Sequence, residues 1–120
     1  SGRSSARRMA TGEFYTSEGC YITELSNSPL DADASIARAR VEPGVTTRWH
    51  HVVGTTERYL ILEGEGRVEI GDDPPRDVRP GDVVVIAPSV KQRITNTGTS
   101  DLIFLAVCTP RFRSEMYEES

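Results

Sequence analysis

The sequence predicts an all-β fold, an antiparallel sandwich or barrel, on the strength of two observations. Short runs rich in valine, isoleucine and threonine recur along most of the chain, and clusters of Gly, Pro, Asn and Asp separate them. The segments between the runs show no helical periodicity, which is typical of antiparallel sandwiches and barrels. A chain of 120 residues has the length of one domain.

Eight segments are predicted as strands, and turn signals such as Pro43-Gly44 and Pro80-Gly81 separate them. We expect the barrel to span residues 13–110. A disordered or non-native Ser/Arg-rich arm over 1–12 precedes it, and a tail over 111–120 forms one helical turn or wraps the outside. In chain order the predicted strands are Cys20–Leu25, Ser35–Glu42, Arg48–Val53, Arg58–Leu62, Gly66–Ile70, Asp82–Ala87, Gln92–Asn96 and Leu102–Thr109.

Two of these strands are apolar without a clean alternation, over Val83–Ile86 and Leu102–Val107. Such a strand is expected to be covered on both faces. One face would line the barrel interior, and the other would contact a second sheet or another subunit. This pattern predicts a homodimer.

Composition and charge disfavour two classes of partner. The formal net charge is −4, whereas a nucleic-acid-binding domain usually carries a basic excess. No apolar run approaches the roughly 18 residues that a membrane span needs. The first twenty residues contain no apolar signal-peptide region, and two cysteines are too few for a disulfide framework, so we expect a cytoplasmic protein.

A spaced pattern of polar residues and glycines resembles the two sequence motifs of the cupin superfamily. In the first motif, Gly44 is followed after five residues by His50, then by Glu57 and, after six more residues, by Gly64. The second histidine position of that motif is Val52 here. In the second motif, the landmarks Gly81, Pro88 and Asn96 match, and the histidine position is Gln92. The resemblance implies an antiparallel jelly-roll β-barrel.

The resemblance also implies one divalent metal ion inside the barrel, held by His50, Glu57 and Gln92. Imidazole, carboxylate and amide oxygen form a mixed nitrogen and oxygen set that suits Zn, Ni, Mn or Fe, with open positions for substrate. The alternative is that these three side chains hydrogen-bond one another without a metal. In that case burial would raise the pKa of Glu57, and its proton could be shared with His50.

The predicted function is binding of a small organic molecule and Lewis-acid chemistry on it, of the isomerase, cyclase or lyase type. Tyr59 and Glu57 are the candidate catalytic residues, because Tyr59 shares the strand face of Glu57. Two alternatives remain open. One is a non-catalytic sensor or binding cupin, and the other is an Fe(II)-dependent dioxygenase.

Four further side chains are candidates for contact with substrate. Arg48 shares the face of His50, and Arg38 and Arg40 alternate along one strand. Each is a candidate to clamp a substrate carboxylate, and the alternative is that it is solvated or paired with a surface glutamate. Phe104 is expected to form an apolar cavity wall. His51 follows His50 directly and is therefore expected on the outer face.

Overall fold

A computed structural model describes residues 12–120, so nearly all of the predicted N-terminal arm lies outside the described residues. All eight predicted strands are present, with ends that differ by two residues at most. Three short strands, β1, β7 and β11, were not predicted. The strands are β1 (Phe14–Tyr15), β2 (Tyr21–Ser26), β3 (Ser35–Val41), β4 (His50–Val52), β5 (Thr56–Glu63), β6 (Gly66–Ile70), β7 (Arg76–Val78), β8 (Val83–Ile86), β9 (Gln92–Asn96), β10 (Leu102–Thr109) and β11 (Tyr117–Glu119).

The strands form two antiparallel sheets, and the chain passes repeatedly from one to the other. The six-stranded sheet has the order β1-β2-β3-β10-β5-β8, and the five-stranded sheet has the order β11-β4-β9-β6-β7. Strands that are neighbours in sequence, such as β3 and β4 or β8 and β9, lie in different sheets. This arrangement is the predicted jelly roll, and it brings residues from distant motifs to the space between the sheets.

The core lies between the two sheets and follows the two-residue alternation of each strand. In β8, Val84 and Ile86 point inward and are buried, whereas Val83 and Val85 point outward and are 54% and 62% exposed. In a single chain, therefore, only the inner face of β8 is covered, and the expectation that its own barrel covers both faces is wrong. The buried cluster includes Val41, Ile61, Val68, Ile94, Leu102 and Phe104.

Two landmarks of the sequence motifs have structural roles. Gly64 has a φ of +85°, and a Cβ there would lie 2.6 Å from the backbone oxygen of Asp101, so the turn into β6 accepts only glycine. The buried Asn96 amide donates to the backbone oxygens of Val41 and Ser100, at 2.8 Å each. These two residues hold the strands together and take no part in the cavity.

The C-terminal tail belongs to the barrel. It contains one 3-10 turn over Ser114–Met116, and β11 then pairs antiparallel with β4, with Tyr117 opposite Val52 and Glu119 opposite His50. The predicted end of the barrel at residue 110 is therefore too early, because β11 is a strand of the five-stranded sheet. In the described part of the chain, no helix has the length and apolarity to span a bilayer.

Candidate functional site

A cavity of about 270 Å³ opens between the sheets. Its walls are mainly apolar and include Ala37, Ala39, Phe104 and Ala106. Its carboxyl and imidazole side chains come from three strands and one turn. They are Glu18, Glu24, His50 and Glu57. Enclosed apolar walls with a few converging polar groups are typical of small-molecule sites.

His50 is held in a defined tautomer at one end of this cavity. The residue is 3% exposed, and its Nδ1 lies 2.8 Å from the backbone oxygen of Arg48. A carbonyl oxygen only accepts, so Nδ1 carries a proton. The other ring nitrogen, Nε2, lies 3.3 Å from Oε2 of Glu18. The ring of Tyr117 stacks on the imidazole at a centroid distance of 5.3 Å.

Glu18 is a site residue that sequence reasoning missed. It lies in the turn between β1 and β2, and its backbone oxygen accepts a hydrogen bond from the Arg48 amide at 2.8 Å, which ties the turn to the segment before His50. Burial raises the pKa of the Glu18 carboxyl to about 7. The sequence signal was weak, because β1 has only two residues and the turn has an ordinary turn composition.

Glu57, Gln92 and Tyr59 form a hydrogen-bonded chain that connects the two sheets. Nε2 of Gln92 donates to Oε1 of Glu57 at 2.6 Å, and the Tyr59 hydroxyl donates to Oε1 of Gln92. Burial raises the pKa of both Glu57 and Tyr59.

The structure brings the three predicted metal ligands to one place. His50 and Gln92 are directly opposite each other in β4 and β9, and Gln92 contacts Glu57. Val52 also lines the cavity, at the position where the first motif usually has its second histidine.

The arrangement of these side chains does not fit a metal ion. Gln92 directs its amide nitrogen, a donor, at Glu57, and its oxygen is occupied by Tyr59. The free nitrogen of His50 faces Glu18. Among residues 12–120, no three His, Cys, Asp or Glu side chains are placed to hold a metal. The polar groups satisfy one another instead.

The predicted arginine clamp is not formed in the cavity. Ala37 and Ala39 line the cavity, so Arg38 and Arg40, which alternate with them along β3, point to the outer face. Arg40 lies 2.7 Å from Glu13 and 3.2 Å from Asp101, and Arg38 lies 3.8 Å from Glu13.

The remaining predicted side chains divide between the cavity and the surface. Arg48 is exposed and contributes to the site through its backbone groups. Phe104 lines the cavity as predicted, with its ring 4.4 Å from that of Tyr59. His51 points away from the cavity, as expected, and its ring nitrogens contact Ser120 Oγ at 2.6 Å and Glu118 Oε1 at 3.0 Å.

The two cysteines are unsuited to nucleophilic chemistry. Cys20 and Cys108 are both buried, unpaired and part of the cavity wall. Burial raises the pKa of each thiol to about 12, so the reactive thiolate does not form at neutral pH.

A two-sheet jelly roll with a polar cluster inside a mainly apolar cavity defines a protein of the β-barrel class. Residues 37–108 match the cupin domain family, and the chain belongs to that family. The match confirms the resemblance that the motif spacing indicated.

Relatives agree with this assignment. The chain is 31% identical over 104 residues to an uncharacterised protein of Methanocaldococcus jannaschii, covering 85% of this chain and 82% of that one. It is 40% identical over 72 residues to an oxalate-binding protein of Thermotoga maritima, covering 59% of this chain and 58% of that one. A crystal structure of a Thermotoga maritima protein, described as a predicted oxalate decarboxylase, superposes with a TM-score of 0.71 at 28% identity, covering 87% and 96% of the two chains.

Proposed function

We propose that this cupin binds a small organic molecule in its cavity and acts on it by proton transfer, with Glu18 and His50 as the acid–base pair. The observation that supports the proposal is the 3.3 Å approach of His50 Nε2 to Glu18 Oε2 in a cavity with room for a ligand. Because Nδ1 of His50 is held by a backbone carbonyl, the mobile proton of the pair lies between Nε2 and the carboxyl group.

Over one reaction cycle, the Glu18–His50 pair gains one proton and loses one, so its charge is the same at the end as at the start. In its resting form it holds one mobile proton, either on Glu18 or on Nε2. It accepts a second proton from a carbon next to a substrate carbonyl, and it returns one proton to another atom of the same molecule. Isomerisation, elimination and cyclisation all follow this scheme, in which a positioned acid and base each act near neutral pH.

The hydrogen-bonded side chains Tyr59, Gln92 and Glu57 support this chemistry by holding the Glu57 carboxyl group in the cavity. Tyr59 lines the cavity and donates to Gln92, which in turn donates to Glu57. This chain fixes the orientation of the Glu57 carboxyl group, whose raised pKa favours the protonated form. A protonated Glu57 would donate a hydrogen bond to an oxygen of the substrate and polarise it.

Deuterium exchange into neutral ketones tests the proposal. The purified protein is incubated in D₂O with hydroxyacetone or cyclohexanone, and loss of the α-proton signals is followed by NMR. We expect exchange above the buffer rate, and we expect Glu18→Gln and His50→Gln to lower it by about 100-fold. His51→Gln is the matched control, because His51 lies on the outer face, and it should exchange like the wild type. Equal rates in all four proteins would contradict the acid–base role and favour a binding protein without catalysis.

A metal-dependent reaction is the second candidate, and it follows from family membership. It needs the Gln92 amide to rotate and Glu57 to leave its hydrogen bond, which would break the chain that links Tyr59 to Glu57. Lewis-acid chemistry and Fe(II)-dependent oxygenation remain predictions of that family resemblance. A thermal-shift series with divalent ions separates both of them from the metal-free reaction.

We also propose that the chain forms a homodimer through the outer face of β8. This strand ends the six-stranded sheet, and it exposes Val83 and Val85, while Leu62 on the neighbouring β5 is 42% exposed. The four residues of β8 include no charged side chain or proline, the usual means of protecting an edge strand from pairing. A second copy of the chain would cover this apolar surface.

A further inference from the structure

The titratable side chains of the cavity wall are acidic apart from His50. Among the described residues that line the cavity there are three carboxyl groups and no lysine or arginine. The positive charge that His50 can carry is directed at Glu18. An anionic ligand would therefore lose its hydration without gaining a cation, which is costly in a buried site.

The two arginines of β3 that were predicted to bind substrate do not add positive charge to the cavity. Arg38 and Arg40 point to the outer face, where Glu13 pairs with both of them. The described cavity wall therefore offers no arginine or lysine to pair with a dicarboxylate such as oxalate.

Tyr117 supplies an independent observation. In the described part of the chain, its Oη is the buried side-chain polar atom without a hydrogen-bond partner. Ser17 lies close enough to influence the pKa of this phenol but outside hydrogen-bond geometry. A buried hydroxyl without a partner costs free energy, and a bound ligand that pairs with it recovers that cost.

The position of this hydroxyl ties it to the cavity. Tyr117 lines the cavity, and its ring stacks on His50, so a ligand that contacts Tyr117 lies next to the acid–base pair. A tyrosine phenol holds its proton at neutral pH, so Tyr117 is available as a hydrogen-bond donor. The ligand must therefore present an acceptor at this point.

We propose that the cavity selects a small ligand without negative charge, and that Tyr117 anchors it by donating a hydrogen bond to a carbonyl or hydroxyl oxygen. The inference rests on the proposed function in that it uses the same cavity, and it adds the ligand class and a specificity-determining residue from the C-terminal strand. Removal of the Tyr117 hydroxyl should weaken binding without weakening the fold, since that group has no partner in the protein.

Two ligands of equal shape and different charge test the proposal. Benzamide and benzoate are titrated into the purified protein in the presence of EDTA, and Kd is measured by NMR chemical-shift changes. We expect benzamide to bind about tenfold more tightly than benzoate, or better, at pH 7.5. Benzoate binding as tight as that of benzamide, or no saturable binding of benzamide, would overturn the proposal. So would benzoate binding that appears only after Mn²⁺ is added.

The role of Tyr117 is tested with the same probe. Tyr117→Phe should weaken benzamide binding about five- to tenfold and leave Tm unchanged or slightly raised. Tyr21→Phe is the matched control, because the Tyr21 ring packs against Arg40 on the outer face of the sheet. An unchanged Kd in Tyr117→Phe would overturn the anchoring role. Deuterium exchange reports separately on Glu18 and His50, so selective benzamide binding without exchange would refute only the acid–base reaction.

Discussion

His50 Nε2 lies 3.3 Å from Oε2 of Glu18, so the cavity histidine is paired with a carboxyl group from the N-terminal hairpin. The pairing joins a residue of the five-stranded sheet to a turn at the edge of the six-stranded sheet. The other ring nitrogen of His50 is committed to the Arg48 carbonyl, so Nε2 is the nitrogen that faces Glu18.

The raised pKa of Glu18 predicts a specific pH dependence of stability. Its pKa is about 7 in the folded protein against 4.5 for the unfolded chain, so between these values the folded state holds a proton that the unfolded state has released. The free energy of unfolding should therefore fall as pH rises from about 4.5 to about 7, by roughly 1–3 kcal/mol.

Urea unfolding of the wild type and Glu18→Gln across this pH range measures the effect. Glu57 also has a raised pKa and contributes a fall in the same direction to both proteins, so the difference between them isolates Glu18. Glu65→Gln, at an exposed turn position, should follow the wild-type profile. A constant difference between wild type and Glu18→Gln at all pH values would contradict the assignment.

Replacing Gln92 should destabilise the protein through its two partners. Gln92→Leu keeps much of the side-chain volume but leaves the Tyr59 hydroxyl and the Glu57 carboxyl group without their hydrogen bonds. We expect a loss of about 2–4 kcal/mol in urea unfolding. The double variant Gln92→Leu/Tyr59→Phe should recover part of that loss, and a single-variant cost below about 0.5 kcal/mol would refute the bridging role.

Divalent ions should not stabilise the wild-type protein, because the groups that would bind them are hydrogen-bonded to one another. The measurement is a thermal-shift series with Zn²⁺, Ni²⁺, Mn²⁺ and anaerobic Fe²⁺, together with elemental analysis of the purified protein. A rise in Tm that disappears in His50→Ala and Gln92→Ala but persists in His51→Ala would show that the metal-dependent alternative is correct. That rise should then weaken below about pH 6, since a ligating imidazole must be neutral.

Gly64→Ala should be far more costly than Gly54→Ala. Both glycines have positive φ, +85° and +82°, but an added Cβ meets the Asp101 backbone oxygen at 2.6 Å in the first case and nothing within 4 Å in the second. We expect about 2–4 kcal/mol for Gly64→Ala and about 1 kcal/mol for Gly54→Ala by chemical denaturation. Equal costs would mean that conformation alone, and not the close contact, requires glycine at position 64.

The proposed dimer predicts a change of mass on substitution in β8. Val83→Lys and Val85→Lys introduce charges into the exposed apolar face, and the variants should sediment as monomers while the wild type sediments as a dimer. Val53→Lys is the control, because Val53 is 41% exposed and lies outside β8. A wild type that remains monomeric at high concentration would contradict the proposal.

The sequence by itself determined the strands and the family, because both depend on local signals. Apolar alternation and turn residues located eight of the strands, and the resemblance of the motif spacing to that of cupins selected His50, Glu57 and Gln92. His50 lies opposite Gln92 in the neighbouring strand, and Gln92 contacts Glu57. The strands β1, β7 and β11 have two or three residues each and were missed, since so short a segment holds little pattern. The equally short β4 was found as part of the longer predicted strand Arg48–Val53.

Only the tertiary structure decided which groups share the cavity. Glu18 and Tyr117 are 99 residues apart in the chain, and sheet pairing at opposite ends of the fold brings both against His50. Strand parity turned Arg38 and Arg40 outward because Ala37 and Ala39 face the cavity, a choice that their alternating sequence left open. Whether Gln92 offers an oxygen or a nitrogen depends on Tyr59 and Glu57 beside it, and such three-dimensional neighbours leave no local mark in a sequence.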